Sequence, residues 1–444
     1  MTNPSKRVLL FTNKLGYQTR SFEEAAQKLN TEIVYVTDRC HKLEDPWGDR
    51  AIPVHFEAPQ TAARSVVETL NGIAIDGIVA LGDQPAVSAA YAARDLGIPY
   101  NHPAAVEACS SKFRMREVFR DTGLRTPWFR TMNIDPLPEP ALLGISYPCV
   151  LKPISLSASQ GVIRANNREE FIAAAERIRR LLQSAEIRVT REPNLDQILV
   201  EGYIPGREVA VEALMTDGVV RILAIFDKPD PLEGPYFEES IYVTPSSLPD
   251  LQQRGIEKCT VECAIAIGLT HGSLHAEFRI NQQEIWPLEI AARPIGGLCA
   301  KALRFIDAGA DFPSTYIKDS NAGIGLEELL LRHALHLPGS DWPRGTCASG
   351  VMMIPVPCSG IFERVDGEEA ARAVTEITEL MITARLHDYV AAWPEGSSYL
   401  GFLFSKAETP QAAEQALRDA HAKLRFTLSP RLPVQHPTQS SAAS

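Results

Sequence analysis

Apolar runs alternate with stretches of helical period through the first hundred positions. Arg7 to Thr12 reads as a strand, a loop runs through Gly16, Ser21 to Leu29 reads as a helix, and Glu32 to Thr37 as a second strand. Asp76-Gly77 leads into the apolar run Ile78 to Leu81, and a helix from Pro85 to Leu96 stops at Gly97. Strands separated by helices predict an open α/β layer with a parallel sheet. Ser110 is positioned to cap a helix running to Asp121, which ends at Gly123 before Thr126-Pro127-Trp128.

Beyond Tyr147 the period shortens. Strands are expected at Cys149 to Lys152, Val162 to Ala165 and Gln197 to Glu201, with an amphipathic helix from Arg168 to Ser184 between the last two. Glu208 to Met215 and Val219 to Phe226 flank Asp217-Gly218 as a hairpin, so antiparallel strands dominate this part. After about residue 310 come strand candidates at Ser349 to Pro355 and Tyr399 to Ser405, with helices at Glu368 to Glu379 and Pro410 to Leu424.

The most informative pattern is a pair of strands, Leu274 to Ile280 and Glu284 to Ile290, around Asn281-Gln282-Gln283. In a hairpin centred on Gln283, Glu277 faces Glu289, and directly opposed residues have Cβ atoms about 5 Å apart. Two bare carboxylates at that spacing repel, so a cation is expected between them. Alternation puts His275 and Arg279 on the face of Glu277 and Arg293 on the face of Glu289, while Leu274, Ala276, Phe278, Leu288, Ile290 and Ala292 face a core. His271 and His275 are four apart but enter a strand, where hydrogen bonding is favoured over shared metal ligation.

A chain of 444 residues suggests about three domains. A formal charge of −11 without a basic run argues against nucleic acid as a partner. No apolar run approaches a membrane span, and the start lacks a signal h-region, which points to the cytoplasm. The eight cysteines show no CxxC spacing and read as thiols; Cys259 and Cys263, on one helix face, read as core. The last fifteen residues, rich in Pro, Ser and Gln, read as disordered.

Two segments carry further chemistry. Ser155-Leu156-Ser157-Ala158-Ser159-Gln160-Gly161, after Lys152-Pro153, is either a plain turn or a loop whose N–H groups cradle phosphate beside the Lys152 charge; it lacks the ending of a P-loop. Val200-Glu201-Gly202-Tyr203-Ile204-Pro205-Gly206-Arg207-Glu208 is either a strand end with surface acids or a hinge whose amides meet an adenine edge, with Glu208 on ribose hydroxyls.

The ordered set formed by Val150-Leu151-Lys152-Pro153, the Ser-rich loop, the Val200 to Glu208 segment, His275-Ala276-Glu277-Phe278 and Leu288-Glu289-Ile290-Ala291-Ala292-Arg293-Pro294 resembles the ATP-grasp superfamily. Within it the chain is most similar to carboxylate–amine ligases, including the L-amino acid ligases that make dipeptides. The likeness reaches about Leu428, through Gly350 to Pro355 and Ser398 to Phe402. The resemblance implies an N-terminal open parallel α/β domain over 1–109, a two-lobed ATP-grasp domain over 110–312 with a lid at about 125–200, a C-terminal α+β domain over 313–429 and a tail over 430–444.

On matching positions, it implies that Lys112 and Lys152 hold ATP phosphates under a flap containing Ser157, Ser159 and Gly161. Glu201 and Ile204 match the adenine hinge, Glu208 the ribose acid and Lys228 a further phosphate-side lysine. Glu277 and Glu289 match ligands of Mg2+, or of Mn2+ in its place, and Arg293 the arginine that stabilises an acyl phosphate. Glu238 lies where similar ligases recognise a substrate amino group, and Gly296-Gly297 allows close approach to a ligand or simply turns the chain. One departure is Ala291, where many members carry Asn, leaving a second magnesium with fewer protein ligands.

The expected reaction joins a small-molecule carboxylate and an amine at the expense of ATP. Homodimerisation is common among such enzymes, although no pattern here points to it. A purine-pathway or biotin-carboxylase-like enzyme shares the layout, but the chain has no Met-Lys-Met biotinyl sequence. A nucleotide-binding scaffold without catalysis is the alternative from another class, and the intact set of lysines, glutamates and Arg293 counts against it.

Overall fold

Val8, Leu9, Leu10 and Phe11 are all fully buried, so the first strand has two covered faces and reads as an unbroken apolar run. The computed structural model describes residues 6–13, 17–38, 51–135, 144–192, 194–282, 284–296, 298–307 and 323–430. The loop through Gly16, Gln283, Gly297 and the tail beyond residue 430 lie outside them. Strands β1 (Lys6–Thr12), β2 (Thr31–Thr37), β3 (Ala51–Pro53) and β4 (Gly77–Leu81) form a parallel sheet in the order β3-β2-β1-β4. Helices Tyr17–Lys28, Pro59–Leu70 and Asp83–Leu96 connect and cover it.

A second sheet holds β5 (Phe129–Asn133), β6 (Cys149–Pro153), β7 (Ile163–Ala165) and β8 (Gln197–Gly202) in the antiparallel order β5-β8-β6-β7. The helix Arg168–Gln183 packs on it through Phe171, Ala174, Ile178 and Leu182, and Asn167 caps that helix by accepting from the Glu170 amide at 2.9 Å. β5 carried no strand signal because it is an edge strand with mostly half-buried residues.

The central sheet has eight strands: β9 (Arg207–Thr216), β10 (Val219–Asp227), β11 (Ile241–Thr244), β12 (Gly272–Asn281), β13 (Glu284–Ala291), β14 (Ala348–Ile354), β16 (Ile377–Ile382) and β18 (Gly401–Ala407). Their order, β13-β12-β9-β10-β11-β14-β18-β16, joins the middle and the C-terminal third of the chain into one sheet through β11. A small sheet of β15 (Gly360–Asp366), β17 (Tyr389–Val390) and β19 (Arg425–Ser429) completes the C-terminal part.

Three boundaries differ from the sequence reading. The helix expected from Ser110 to Asp121 runs over Lys112–Asp121, a separate helix Pro103–Cys109 precedes it, and the cap is Ser111, whose hydroxyl accepts from the Arg114 amide at 3.4 Å. The helix expected over Glu368 to Glu379 stops at Arg372: the β-branched residues of Val374 to Thr378 favour strand, Glu376 turns the chain at φ 68°, and Ile377 enters β16. The last helix ends at His421, and Arg425 starts β19.

β9 enters the sheet through a turn that only glycine fits. Gly206 has φ +122°, and a Cβ there would lie 2.2 Å from the Ile280 carbonyl oxygen of β12. Gly206→Ala is therefore expected to destabilise the protein by about 2 kcal/mol or more, read as a lower urea midpoint.

Candidate active site

Near the turn of the β12–β13 hairpin Asn281 pairs with Glu284 and Phe278 with Pro287, a register that continued unbroken would set Glu277 opposite Leu288. An irregularity between Glu277 and Phe278 inserts Leu288 as an extra residue, and Glu277 faces Glu289. The expected pairing is thus present for a different reason: the hairpin is not centred on Gln283, and a bulge restores the register. Leu274, Ala276, Phe278, Ile290 and Ala292 are buried in a core as expected, whereas Leu288, the bulged residue, is only half-buried.

β9 runs alongside and pairs Glu208 with Arg279, Ala210 with Glu277, and Glu212 with His275. Strand alternation puts these polar side chains on the sheet face opposite Val209, Val211 and Phe278. Lys228, immediately after β10, donates to Glu208 at 2.7 Å, Glu239 at 2.7 Å and Glu277 at 2.8 Å. Burial alone would lower the Lys228 pKa, but the three carboxylates raise it well above its ordinary value. Burial would likewise raise Glu277, which Lys228 and His275 hold far below the usual range. Glu239 is pushed up to about 7 by burial and by Glu277 and Glu208, against the pull of Lys228. Its other oxygen accepts from the Tyr242 hydroxyl at 2.6 Å.

Oxygens of Glu208, Glu239 and Glu277 lie within 4.8 Å of one another, and Glu289 pairs with Glu277 across the hairpin. Hard cations such as Mg2+ take carboxylate and phosphate oxygens, so the donor set fits. Lys228 acts as the internal counter-ion of the cluster. Glu208 is also bonded by Arg279 at 3.0 Å, and Arg279 donates to the Ile204 carbonyl at 2.8 Å, which ties the expected ribose acid to the expected hinge.

His275 is hydrogen-bonded, as expected, with Nδ1 2.5 Å from Glu212 and Nε2 3.6 Å from Glu277. Burial opposes its charge, but the two carboxylates bring its pKa up to about 9. His271 departs from expectation: its Nδ1 is buried without a hydrogen-bond partner, and its ring lies 4.6 Å from that of His333. Arg293 donates to Asp83 through Nε at 2.7 Å and Nη2 at 3.4 Å. Asp83 opens the helix after β4, at the carboxyl end of a parallel strand, and that position was the signal that could have revealed it.

The hinge is organised by a residue with no sequence signal. Arg116, only 2% exposed, donates to Glu201 at 2.8 and 3.3 Å, and to the carbonyls of Pro287 and Leu288 at 3.4 and 2.9 Å. Its neighbours in sequence, Arg114 and Arg120, are exposed, so composition could not single it out. Lys152 reaches the same carboxylate at 2.5 Å. The Glu201 side chain thus orients Lys152, while the amides of Gly202 and Tyr203 bond the carbonyls of Trp128 and Pro148 at 2.9 and 3.1 Å.

Burial alone would raise the Glu201 pKa, yet Arg116 and Lys152 bring it from 4.5 down to about 2. A depressed carboxylate stabilises the fold above its unfolded value and loses that contribution as pH falls through its folded value. Glu201→Gln is expected to cost about 3 kcal/mol at pH 7 because Arg116 stays buried. In urea unfolding, the gap from wild type should shrink between about pH 4.5 and 2.

The remaining expected residues fall in different places. Lys112 begins its helix and donates to the Leu156 carbonyl, inside the Ser-rich loop. In that loop Ser157 is exposed, Ser159 and Gly161 have φ of 54° and 72°, and Gly161 is buried. Glu238 lies outside the acid cluster, with its buried Oε1 unpartnered; its neighbour Glu239 faces Lys228. Gly296 is exposed, and a Cβ there would meet nothing within 4 Å, so local packing does not require glycine.

An ATP-grasp domain model matches residues 145–302, and a model of L-amino acid ligase C-terminal domain 2 matches residues 352–429. The chain thus carries an ATP-grasp domain. Its fold follows the L-amino acid ligase of Bacillus licheniformis with a TM-score of 0.76 and 25% identity, over 96% of this chain and 100% of that one. The ATP-grasp enzyme fsqD of Aspergillus fumigatus is 25% identical over 394 residues, 78% of this chain and 64% of its own. Alanine–anticapsin ligase of Bacillus subtilis is 27% identical over 256 residues, 54% of this chain and 53% of its own. The chain spans between about half and two thirds of the length of these curated relatives.

Proposed function

We propose that the protein is an ATP-dependent carboxylate–amine ligase acting on an amino acid or small carboxylate. The observation that carries the reading is that Glu277 faces Glu289 across the hairpin and holds Lys228, with Arg293, just beyond β13, in the field of Glu289 and Glu212. A substrate carboxylate oxygen attacks the γ-phosphorus of ATP, the bond to the β-phosphate oxygen breaks, and ADP leaves behind an acyl phosphate. The amine nitrogen then attacks the acyl carbon, the carbon–oxygen bond breaks, and phosphate departs as the amine loses a proton. Glu277 and Glu289 would hold Mg2+, which would supply positive charge to offset that of the phosphates.

The chain's own groups supply position and field. Lys112 and Lys152 hold the phosphates, with Lys152 oriented by Glu201. Glu208, held by Lys228 on one oxygen and Arg279 on the other, would meet the ribose hydroxyls. Val150, Leu232, Phe237 and Tyr203 supply an apolar wall beside the hinge for the base. Arg293 stabilises the charge that develops on the acyl phosphate. The L-amino acid ligase C-terminal match and the alanine–anticapsin ligase relative support an amino acid as one substrate. In this reading, residues 1–109, 110–312 and 313–429 are the N-terminal, ATP-grasp and ligase-type C-terminal domains, the last two sharing the central sheet.

A cytoplasmic setting is the reading in which the seven cysteines among the described residues stay free thiols; among those residues no helix is long and apolar enough to cross a membrane. ADP release measured across a matrix of amino acids, with products read by mass spectrometry, tests the proposal. Turnover that requires both an acid and an amine is expected; no ADP from any pair would refute it.

A further inference from the structure

The Ser155 to Gly161 loop is not left free over the cleft. A tight turn in the C-terminal part of the chain, Ala392 to Gly396, grips it at three successive points: the Trp393 indole N–H donates to the Ala158 carbonyl at 3.3 Å, the Gly161 amide to the Pro394 carbonyl at 2.8 Å, and the Gln160 side chain to the Glu395 carbonyl at 2.7 Å. The Glu395 carboxylate reaches further, to Arg177 of the helix that covers the β5-β8-β6-β7 sheet, at 2.8 Å. Arg177 also donates to the Tyr236 hydroxyl, and its guanidinium lies 4.9 Å from that ring centre.

The gripping turn is itself rigid. Trp393 is 6% exposed and stacks on Tyr399 at 4.9 Å, while Gly396 closes the turn so tightly that a Cβ would sit 2.1 Å from the Ala391 carbonyl oxygen. Beneath the loop, Lys112 bonds the Leu156 carbonyl. The loop is therefore clamped between a lysine on one side and a stiff turn from a distant part of the sequence on the other. Its strand neighbours β6 and β7 belong to the four-stranded antiparallel sheet β5-β8-β6-β7, whereas the turn lies between β17 and β18 of the C-terminal part.

We propose that the Trp393–Glu395 turn is a latch that holds the phosphate-covering loop shut, so that Trp393 and Glu395 are positioning residues that set the rate at which ADP leaves. The proposal rests on the ligase reading, in which this loop covers the phosphates. A closed lid commits substrate and excludes water, and its opening commonly limits turnover. The latch is made of three hydrogen bonds and one partly exposed ion pair, contacts that are individually weak and so reversible within a catalytic cycle.

The test compares wild type with Glu395→Gln and with the double variant Trp393→Phe, Glu395→Gln. Dissociation of a fluorescent ADP analogue with Mg2+ is followed by stopped flow, and hydrogen exchange of the loop amides by mass spectrometry. The double variant is expected to release the nucleotide about tenfold faster, with faster exchange at residues 155–161, a raised KM for ATP, an unchanged or higher kcat and an unchanged melting temperature. Wild-type binding with release and loop exchange unaltered in both variants overturns the latch alone. Failure of the wild type to bind the Mg–nucleotide overturns the ATP reading, and the lid role of the loop with it.

Discussion

Glu289→Gln lowers ADP formation at saturating ATP at least about 100-fold, with little change in folding stability. The magnitude follows from the proposed role of Glu289, a carboxylate that would hold the Mg2+ countering charge on the transferring phosphate, where loss of one preorganised electrostatic partner commonly costs two to three orders of magnitude. Gln keeps the shape of the side chain and removes its charge, so the hairpin and its bulge are undisturbed. Glu277→Gln should be as inactive for an additional reason. Glu277 anchors Lys228 at 2.8 Å and neighbours His275, so its neutralisation leaves the Lys228 ammonium with two carboxylates rather than three. The two variants separate in metal dependence. Raising Mg2+ should partly restore Glu289→Gln, whereas Glu277→Gln also disturbs the internal cation and should respond less. Titrating ADP formation against Mg2+ for each variant measures this, and activity within tenfold of wild type in Glu289→Gln would remove the metal bridge from the mechanism.

Much of the fold was legible because its strongest signals are periodic. The apolar runs Val8 to Phe11 in β1 and Ile78 to Leu81 in β4 announced a parallel sheet, and alternation along β12 correctly set His275, Glu277 and Arg279 against Leu274, Ala276 and Phe278. The site was legible where chemistry coincided with that alternation. It was not legible where a partner arrives from elsewhere in the chain. Asp83 meets Arg293 across 210 positions, and Arg116 meets Glu201 across 85, separations on which local pattern is silent. The bulge at Leu288 shows a different limit. Counting residues from the assumed turn centre gave the right pair of glutamates, but the turn lies one half-step away and the extra residue compensates. Arg116 donates to the carbonyls of Pro287 and Leu288, so the irregular backbone is held by the same guanidinium that orients the hinge acid. Glu239 was missed in favour of Glu238 for want of a strand frame: β11 begins only at Ile241.

Arg293→Ala should lower kcat by about 100- to 1,000-fold, the range for removing a group that meets charge only as it develops. Arg293→Lys is expected to recover only part of that loss, since an ammonium supplies the charge without the planar two-point fork. The Asp83 pair makes the prediction more specific. Burial would raise the Asp83 pKa, but Arg293, followed by Lys112 and His275, lowers it. Removing Arg293 thus leaves a carboxylate without its main partner, and Arg293→Ala should lose stability as well as activity. Asp83→Asn separates these effects. It keeps the guanidinium and its charge and frees it from a competing anion, so stability falls only modestly, while the response of the kinetics reports what Asp83 does. If Asp83 holds Arg293 in its working direction, kcat drops and the double variant Asp83→Asn, Arg293→Ala is no slower than Arg293→Ala. Such non-additivity is the signature of two residues acting through one guanidinium. Additive losses in kcat would instead mean that each carboxylate and cation meets substrate independently. The cycle therefore tests whether the parallel sheet of the first hundred residues, by presenting Asp83 at the end of β4, contributes to the chemistry built on the central sheet.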